Sequence, residues 1–197
     1  MLSKFINIIT IIFILAPINI SFSQTPENFI INVTTKASEI LKKNIDKSQK
    51  SEELIELAKE SVDIEGIGRY TLGKHKKSIT NDQLTEYEIL FKQYFLKSFS
   101  SRLSEYSDPK INVLNQKYLN EKYTMVSSIL VGDDKRPEIK IEWRVYTKDP
   151  DKLLIRDLII EGLSLARTQR EEFNSVIQGA DGNINILFDN LRKFNKS

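Results

Sequence analysis

From residue 26 onward, apolar positions recur first at helical and then at strand spacing. Phe29, Val33, Ala37, Ile40 and Leu41 return every three or four residues, with Lys36, Glu39, Lys42 and Lys43 between them, which predicts a helix over 26–46. Pro26 suits its first turn. Leu54, Leu57, Ala58 and Val62 mark a second helix, for which Ser48 or Ser51 is the expected cap. The glycines of "VDIEGIGRYTLGKH" (62–75) predict short helical turns rather than one rod. The strongest helical segment is 80–106, opened by the capping-box pair Thr80 and Gln83 and ended by Asp108-Pro109. Its apolar residues, from Leu84 through Tyr87, Phe91, Phe95 and Phe99 to Leu103 and Tyr106, cover more than one stripe. Such a helix must be covered on most sides or must line something apolar.

At residue 110 the period shortens to two. "KINVLNQKYL" (110–119) and "KYTMVSSILV" (122–131) read as strands, "GDDKRP" (132–137) as a turn, and "EIKIEWRVYT" (138–147) as a strand with Ile139, Ile141, Trp143 and Val145 on one face. Asp149-Pro150-Asp151 is a second turn before a strand at 152–162. From Ser164 the helical period returns through Leu165, Gln169, Phe173, Val176 and Ile177 to Gly179, and a last helix carries Ile184, Leu187, Phe188, Leu191 and Phe194. Short links between strands favour an antiparallel meander. The expected architecture is α+β: helices packed on one face of a curved antiparallel sheet of about four strands, enclosing an apolar cavity.

The first residues follow a different pattern. Lys4 is the only charge before Glu27, the apolar run "FINIITIIFILA" occupies 5–16, and Pro17 precedes the small-x-small site Ser21-Phe22-Ser23. This is the layout of a cleavable signal peptide over 1–23, leaving one domain at 24–197. The run is shorter than the roughly 20 residues of a membrane span; an uncleaved anchor is the competing reading. Removing 1–23 takes away Lys4 alone among charged residues and lowers the net charge from +2 to +1, so global charge offers no argument for nucleic acid or for strong adhesion to anionic lipid.

There is no Cys, which removes disulfides, thiolate ligands and a Cys nucleophile. The single His, His75, lies in "GKHKK" and cannot build a metal site by itself. No nucleophile elbow, P-loop or G-x-G-x-x-G occurs. Asp157 and Glu161, four positions apart on a strand, would stand roughly 13 Å from each other, beyond glycosidase carboxylate spacing. Ion pairing with Arg69, Arg156 or Arg170 is the expected role for them, pinning the corner at Gly162. Lys74, Lys76 and Lys77 form a basic cluster that reads as a solvated loop, with lipid phosphates or an acidic partner surface as the functional alternatives. No catalytic or metal-binding residue is assigned, and no cofactor is expected. The crowding of aromatic and apolar residues on one helix and one strand face reads as a core, or as the wall of a cavity for an apolar ligand.

Three segments carry a resemblance: "VDIEGIGRYTLGKH" (62–75), "LFKQYFLKSFSSRLSEYSDPKINVL" (90–114) and "RDLIIEGLSLARTQREEF" (156–173). Together, in order and with matching spacing, they resemble the MlaC family of periplasmic phospholipid-binding proteins, also called the toluene-tolerance auxiliary family. The matching elements include Val62-Asp63, Arg69, Leu72-Gly73, Phe91, Arg102-Leu103, Asp157, Glu161-Gly162, Arg170 and Phe173. The chain has His75 and Leu154 where the family often has Trp. The resemblance implies a soluble, monomeric, non-enzymatic periplasmic carrier. Such a carrier would take phospholipid between an outer-membrane lipoprotein–porin complex and an inner-membrane ABC transporter with an MCE-domain component, maintaining outer-membrane asymmetry. The expected lipid-binding wall is Ile67, Tyr70 and Leu72; Phe91, Phe95, Phe99 and Leu103; and Ile139, Ile141, Trp143 and Val145. A carrier of another lipid such as a hopanoid, an enzyme on a similar cone-shaped fold using Asp157, and a structural protein with a filled core are the alternatives.

Overall fold

A computed structural model describes residues 24–132 and 137–197. The expected signal peptide and most of the turn expected at 132–137 lie outside the described residues. The described elements are α1 (Pro26–Lys42), α2 (Lys47–Ser61), α3 (Ile64–Thr71), a 3-10 turn (Gly73–Lys77), α4 (Asn81–Leu103), β1 (Ile111–Asn120), β2 (Tyr123–Leu130), β3 (Ile139–Tyr146), β4 (Leu154–Ile160), β5 (Leu163–Ser164), α5 (Leu165–Gln178) and α6 (Asn185–Lys196).

Local chemistry sets the helix starts. Thr80 and Gln83 satisfy each other's backbone N–H groups in the expected capping box. Helix α2 departs from expectation: Asp46, not Ser48 or Ser51, is its cap, in a second capping box closed by Gln49. Asp63 caps α3 through the Gly66 N–H at 2.8 Å, and Ser164 caps α5 through the Arg167 N–H at 3.1 Å. Helix α4 stops at Leu103, short of Asp108-Pro109.

The strands form a meander in the order β1-β2-β3-β4-β5, with every neighbouring pair antiparallel. The fifth strand is the two-residue return after the Glu161–Gly162 turn, where the sequence reading placed one strand end. Both turn residues have positive φ, 49° and 81°, as a two-residue type I′ hairpin requires. Register assigns the inner face: Thr124, Val126, Ser128 and Leu130 on β2 stand beside Val145, Trp143, Ile141 and Ile139 on β3. The helices cover this face, and Val126, Ser128, Ile141, Trp143 and Val145 are buried. Lys140, Glu142, Arg144 and Tyr146 take the other face, as the alternation predicts.

Three register shifts interrupt the ladder. Two fall in β1 and leave Leu114 and Leu119 without cross-strand partners, in a stretch of the strand that is exposed throughout. β1 is also the edge strand, and bulges with a nearby Lys117 discourage pairing with another chain. The third shift leaves Arg156 as an extra residue between Asp157, opposite Arg144, and Ile155, opposite Val145. Beyond β4 the chain closes back on itself: Val62 forms an isolated parallel bridge with Ile155, and the Asp63 N–H donates to the Ile155 carbonyl at 2.9 Å.

Candidate functional site

The apolar residues expected as a wall divide into two sets. Ile67, Leu72, Phe91, Ile141, Trp143 and Val145 are buried members of one continuous core. Phe95, Phe99 and Ile139 are half-buried and pack against that core from outside it. Leu103 is half-buried at the end of α4. Tyr70 falls in neither set: it is 41% exposed, and its ring is covered by the Arg170 guanidinium, 5.1 Å from ring centroid to Cζ.

The buried set is fixed by aromatic packing and by hydrogen bonds the sequence pattern did not announce. Phe91 stacks on Tyr87 at 5.7 Å and meets the edge of Phe173, from α5, at 6.2 Å. Tyr87 Oη and Thr71 Oγ1 are 2.7 Å apart, both buried. Thr71 donates its single hydroxyl proton to the Gly68 carbonyl at 2.8 Å, so Tyr87 is the donor to Thr71. Burial raises the Tyr87 pKa well above the usual tyrosine range, against the lowering effect of the Thr71 bond. Gly68 lies directly on this cluster, since a Cβ there would stand 2.7 Å from Phe91 Cδ1.

Part of the half-buried set lies at one end of the sheet. In register, Ile111, Leu130 and Ile139 form a transverse row, and Ile141, Ile160 and Leu163 form part of the next. Ile111, Leu130, Ile139 and Leu158 are half-buried against the core, and Leu163 is 59% exposed. Phe95 and Phe99 stack on each other at 5.9 Å, nearly parallel. Ile111, Leu130, Leu158 and Ile160 were not singled out from sequence; the alternation of β2 carried a signal for Leu130, whereas Leu158 and Ile160 lie in the continuous apolar run Leu158-Ile159-Ile160. The two surface grooves described, each about 550 Å³, lie elsewhere, along α4 and α6 and between α2, α4 and α6. None of the expected wall residues lines either groove.

The polar residues take structural positions. Asp157 is buried and accepts from the Ser164 hydroxyl at 2.7 Å and the Ala166 N–H at 3.0 Å, so it pins the start of α5 to β4. Its cationic neighbour is Arg144, at 3.8 Å. This corrects the expected pairing with Arg69, Arg156 or Arg170. Arg69 is held by Glu65 and Glu88, and Arg156 by Asp63, while Arg170 lies over Tyr70. Glu161 does secure the corner, by accepting from the Lys140 N–H. His75 Nε2 meets Asn174 Oδ1 at 3.1 Å. Among the described residues no group of His, Cys, Asp and Glu is arranged to hold a metal ion, and no helix is long and apolar enough to cross a membrane.

Comparison with known proteins gives the arrangement a context. No curated protein matches the chain significantly. A phospholipid-binding protein from Ralstonia solanacearum, solved in complex with a phospholipid, shares the fold with a TM-score of 0.71 at 16% identity, over 86% of this chain and 96% of that one. The family model for the MlaC protein matches residues 31–193. The chain therefore belongs to the MlaC family.

Proposed function

We propose that this protein is a periplasmic phospholipid carrier, exported by a cleavable signal peptide over residues 1–23 and active as the single domain 24–197. The observation that carries the reading is the half-buried apolar set: Phe95, Phe99 and Leu103 of α4, together with Ile111, Leu130 and Ile139, which share a row at one end of the sheet. A finished core would bury these side chains; a site that alternates between empty and lipid-filled keeps them available. Family membership and the phospholipid bound by the Ralstonia solanacearum protein support the same ligand class.

The energetics explain why a carrier is needed. Each methylene removed from water contributes about 0.8 kcal/mol, so two long acyl chains are worth on the order of 20 kcal/mol. Free lipid therefore does not cross an aqueous gap at useful rates. The carrier encloses the tails and releases them when a partner favours a more open state. The partners in this reading are an inner-membrane ABC transporter with an MCE-domain component and an outer-membrane lipoprotein–porin complex. The protein works as a monomer and performs no chemistry on its cargo.

Mass spectrometry of the purified protein after solvent extraction tests the reading. Stoichiometric phospholipid, with uptake of labelled phospholipid from vesicles, is the expected result. Recovery of no lipid together with no uptake would refute it, and recovery of a polycyclic lipid alone would reassign the cargo.

A further inference from the structure

We infer that the surface formed by the end of α3, the 3-10 turn and the adjoining flank of α5 docks a carboxylate-rich face of a partner protein. The inference adds a contact surface to the carrier reading and does not depend on it.

Two elements distant in sequence bring cations together here. Lys74, Lys76 and Lys77 are exposed on the 3-10 turn, and Arg167 and Arg170 project from α5. The His75–Asn174 hydrogen bond at 3.1 Å ties the turn to the helix. Arg167, Arg170 and Asn174 recur at three- and four-residue spacing, on one flank of α5. Among the described residues, no carboxylate lies within ion-pair distance of any of these cations, although most of the protein's other arginines are paired. Glu171 and Glu172 share the helix, but Glu172 accepts from Gln169 at 3.0 Å.

Arg170 decides between the classes of anionic partner. Its guanidinium is stacked on Tyr70 and lies close over Gly73, where a Cβ would stand 2.8 Å from Nε. Gly73 has φ +57°, so both its backbone and its missing side chain suit this approach. A guanidinium held on two sides and lacking a carboxylate is pre-organised for planar, bidentate recognition. A membrane surface would call for apolar side chains to insert beside the cations. The exposed aromatic within the patch is Tyr70, and its ring is already covered by Arg170; the exposed Leu163 lies in the hairpin before α5, and the exposed Leu165 stands two positions before Arg167 and so on a different side of the helix. The geometry therefore favours fixed carboxylates on a folded surface over diffuse lipid headgroups.

The test uses the full mature chain and a fluorescently labelled peptide of alternating Glu and Gly, with a Gln-for-Glu peptide as control. Amide chemical shifts should move at α3, the 3-10 turn and α5 with the acidic peptide and not with the control. The triple variant Lys74→Glu, Lys76→Glu, Lys77→Glu should abolish binding, and Arg170→Lys should weaken it about tenfold while preserving charge. Melting temperature and bound-lipid content, measured on the same samples, separate docking from folding and from cargo binding. Equal binding of both peptides, shifts confined to another surface, or unchanged binding by the variants would each overturn the inference. So would flotation of the protein with phosphatidylglycerol vesicles in the absence of peptide binding, which would assign the patch to membrane.

Discussion

Trp143 donates its indole N–H to the Ser128 hydroxyl across β2 and β3 at 2.8 Å, while Ser128 donates onward to the Ile141 carbonyl at 3.2 Å. Both residues are buried on the inner face of the sheet. A serine between hydrophobic neighbours on a buried strand face is thus the acceptor that lets a tryptophan occupy the core without an orphaned donor. Ser128→Ala should cost about 1–3 kcal/mol, the usual penalty for stranding a buried donor. Urea unfolding measures the loss. Because Trp143 is the chain's single Trp, its emission reports the local change directly.

The two sets of apolar residues should separate under mutation. Phe91→Ala, in the filled core, is expected to cost about 3–5 kcal/mol and to lower the melting temperature sharply. Phe99→Ala and Leu103→Ala, in the half-buried set, should cost less stability and lower the lipid recovered per protein. Parallel thermal melts and extraction mass spectrometry check this. Equal stability losses with unchanged lipid content would place the half-buried set in an ordinary core.

Tyr87 makes stability depend on alkaline pH. Burial first, moderated by the Thr71 bond, raises its folded-state pKa, so above the unfolded value of about 10 the native state holds a proton that the unfolded chain has lost. The contribution is fully present below about pH 10 and is lost as pH rises from there toward the folded pKa. The slope approaches about 1.4 kcal/mol per pH unit. Tyr87→Phe should flatten this dependence while costing about 1 kcal/mol near neutrality, since Thr71 keeps its bond to Gly68. Urea midpoints for both proteins between pH 8 and about 11 provide the comparison.

Two glycine substitutions should fail for opposite reasons. Gly162→Ala meets no atom within 4 Å but must adopt φ +81°, a cost of about 1–2 kcal/mol. Gly68→Ala imposes no such backbone strain and instead drives its methyl into the buried Phe91 ring. The second variant should therefore be partly rescued by Phe91→Leu, and the first should not. A double-mutant cycle on unfolding free energies distinguishes them.

Asp63 combines two tasks, capping α3 and pairing with Arg156. Asp63→Asn keeps a capping oxygen and loses the charge, whereas Asp63→Ala loses both. The alanine variant should be the less stable by about 1 kcal/mol, the usual worth of a cap. The ordering, read from thermal melts, is the result that matters.

Helices and strands were legible because apolar spacing changes from 3.6 to two at residue 110 and back at Ser164. The position of a cap was not: Asp46, Ser48 and Ser51 offer similar side-chain oxygens within six residues, and the partner Gln49 decides among them. Nor was the neighbour of Asp157. The bulge at Arg156 sets which arginine lies opposite, and no local pattern encodes a register shift. The residues expected as a wall divide into a buried and a half-buried set, a division that apolar spacing does not encode, because a buried core and a half-buried apolar surface use the same side chains. Tyr70 was placed there by apolar spacing, and its stacking with Arg170 depends on the meeting of α3 and α5.

The closure at Val62 and Ile155 has a mechanical consequence. Among the described residues, the parallel bridge at Val62 and Ile155, with the Asp63 N–H donating to the Ile155 carbonyl, joins the first four helices to the sheet through the backbone; side-chain contacts hold the rest of these layers together. Dispersion and hydrophobic contact have little directionality, so the layers can slide or spread by small amounts without breaking a ladder of hydrogen bonds. The fold is stiff within each layer and compliant between them, with Val62–Asp63 as the seam about which that compliance is organised.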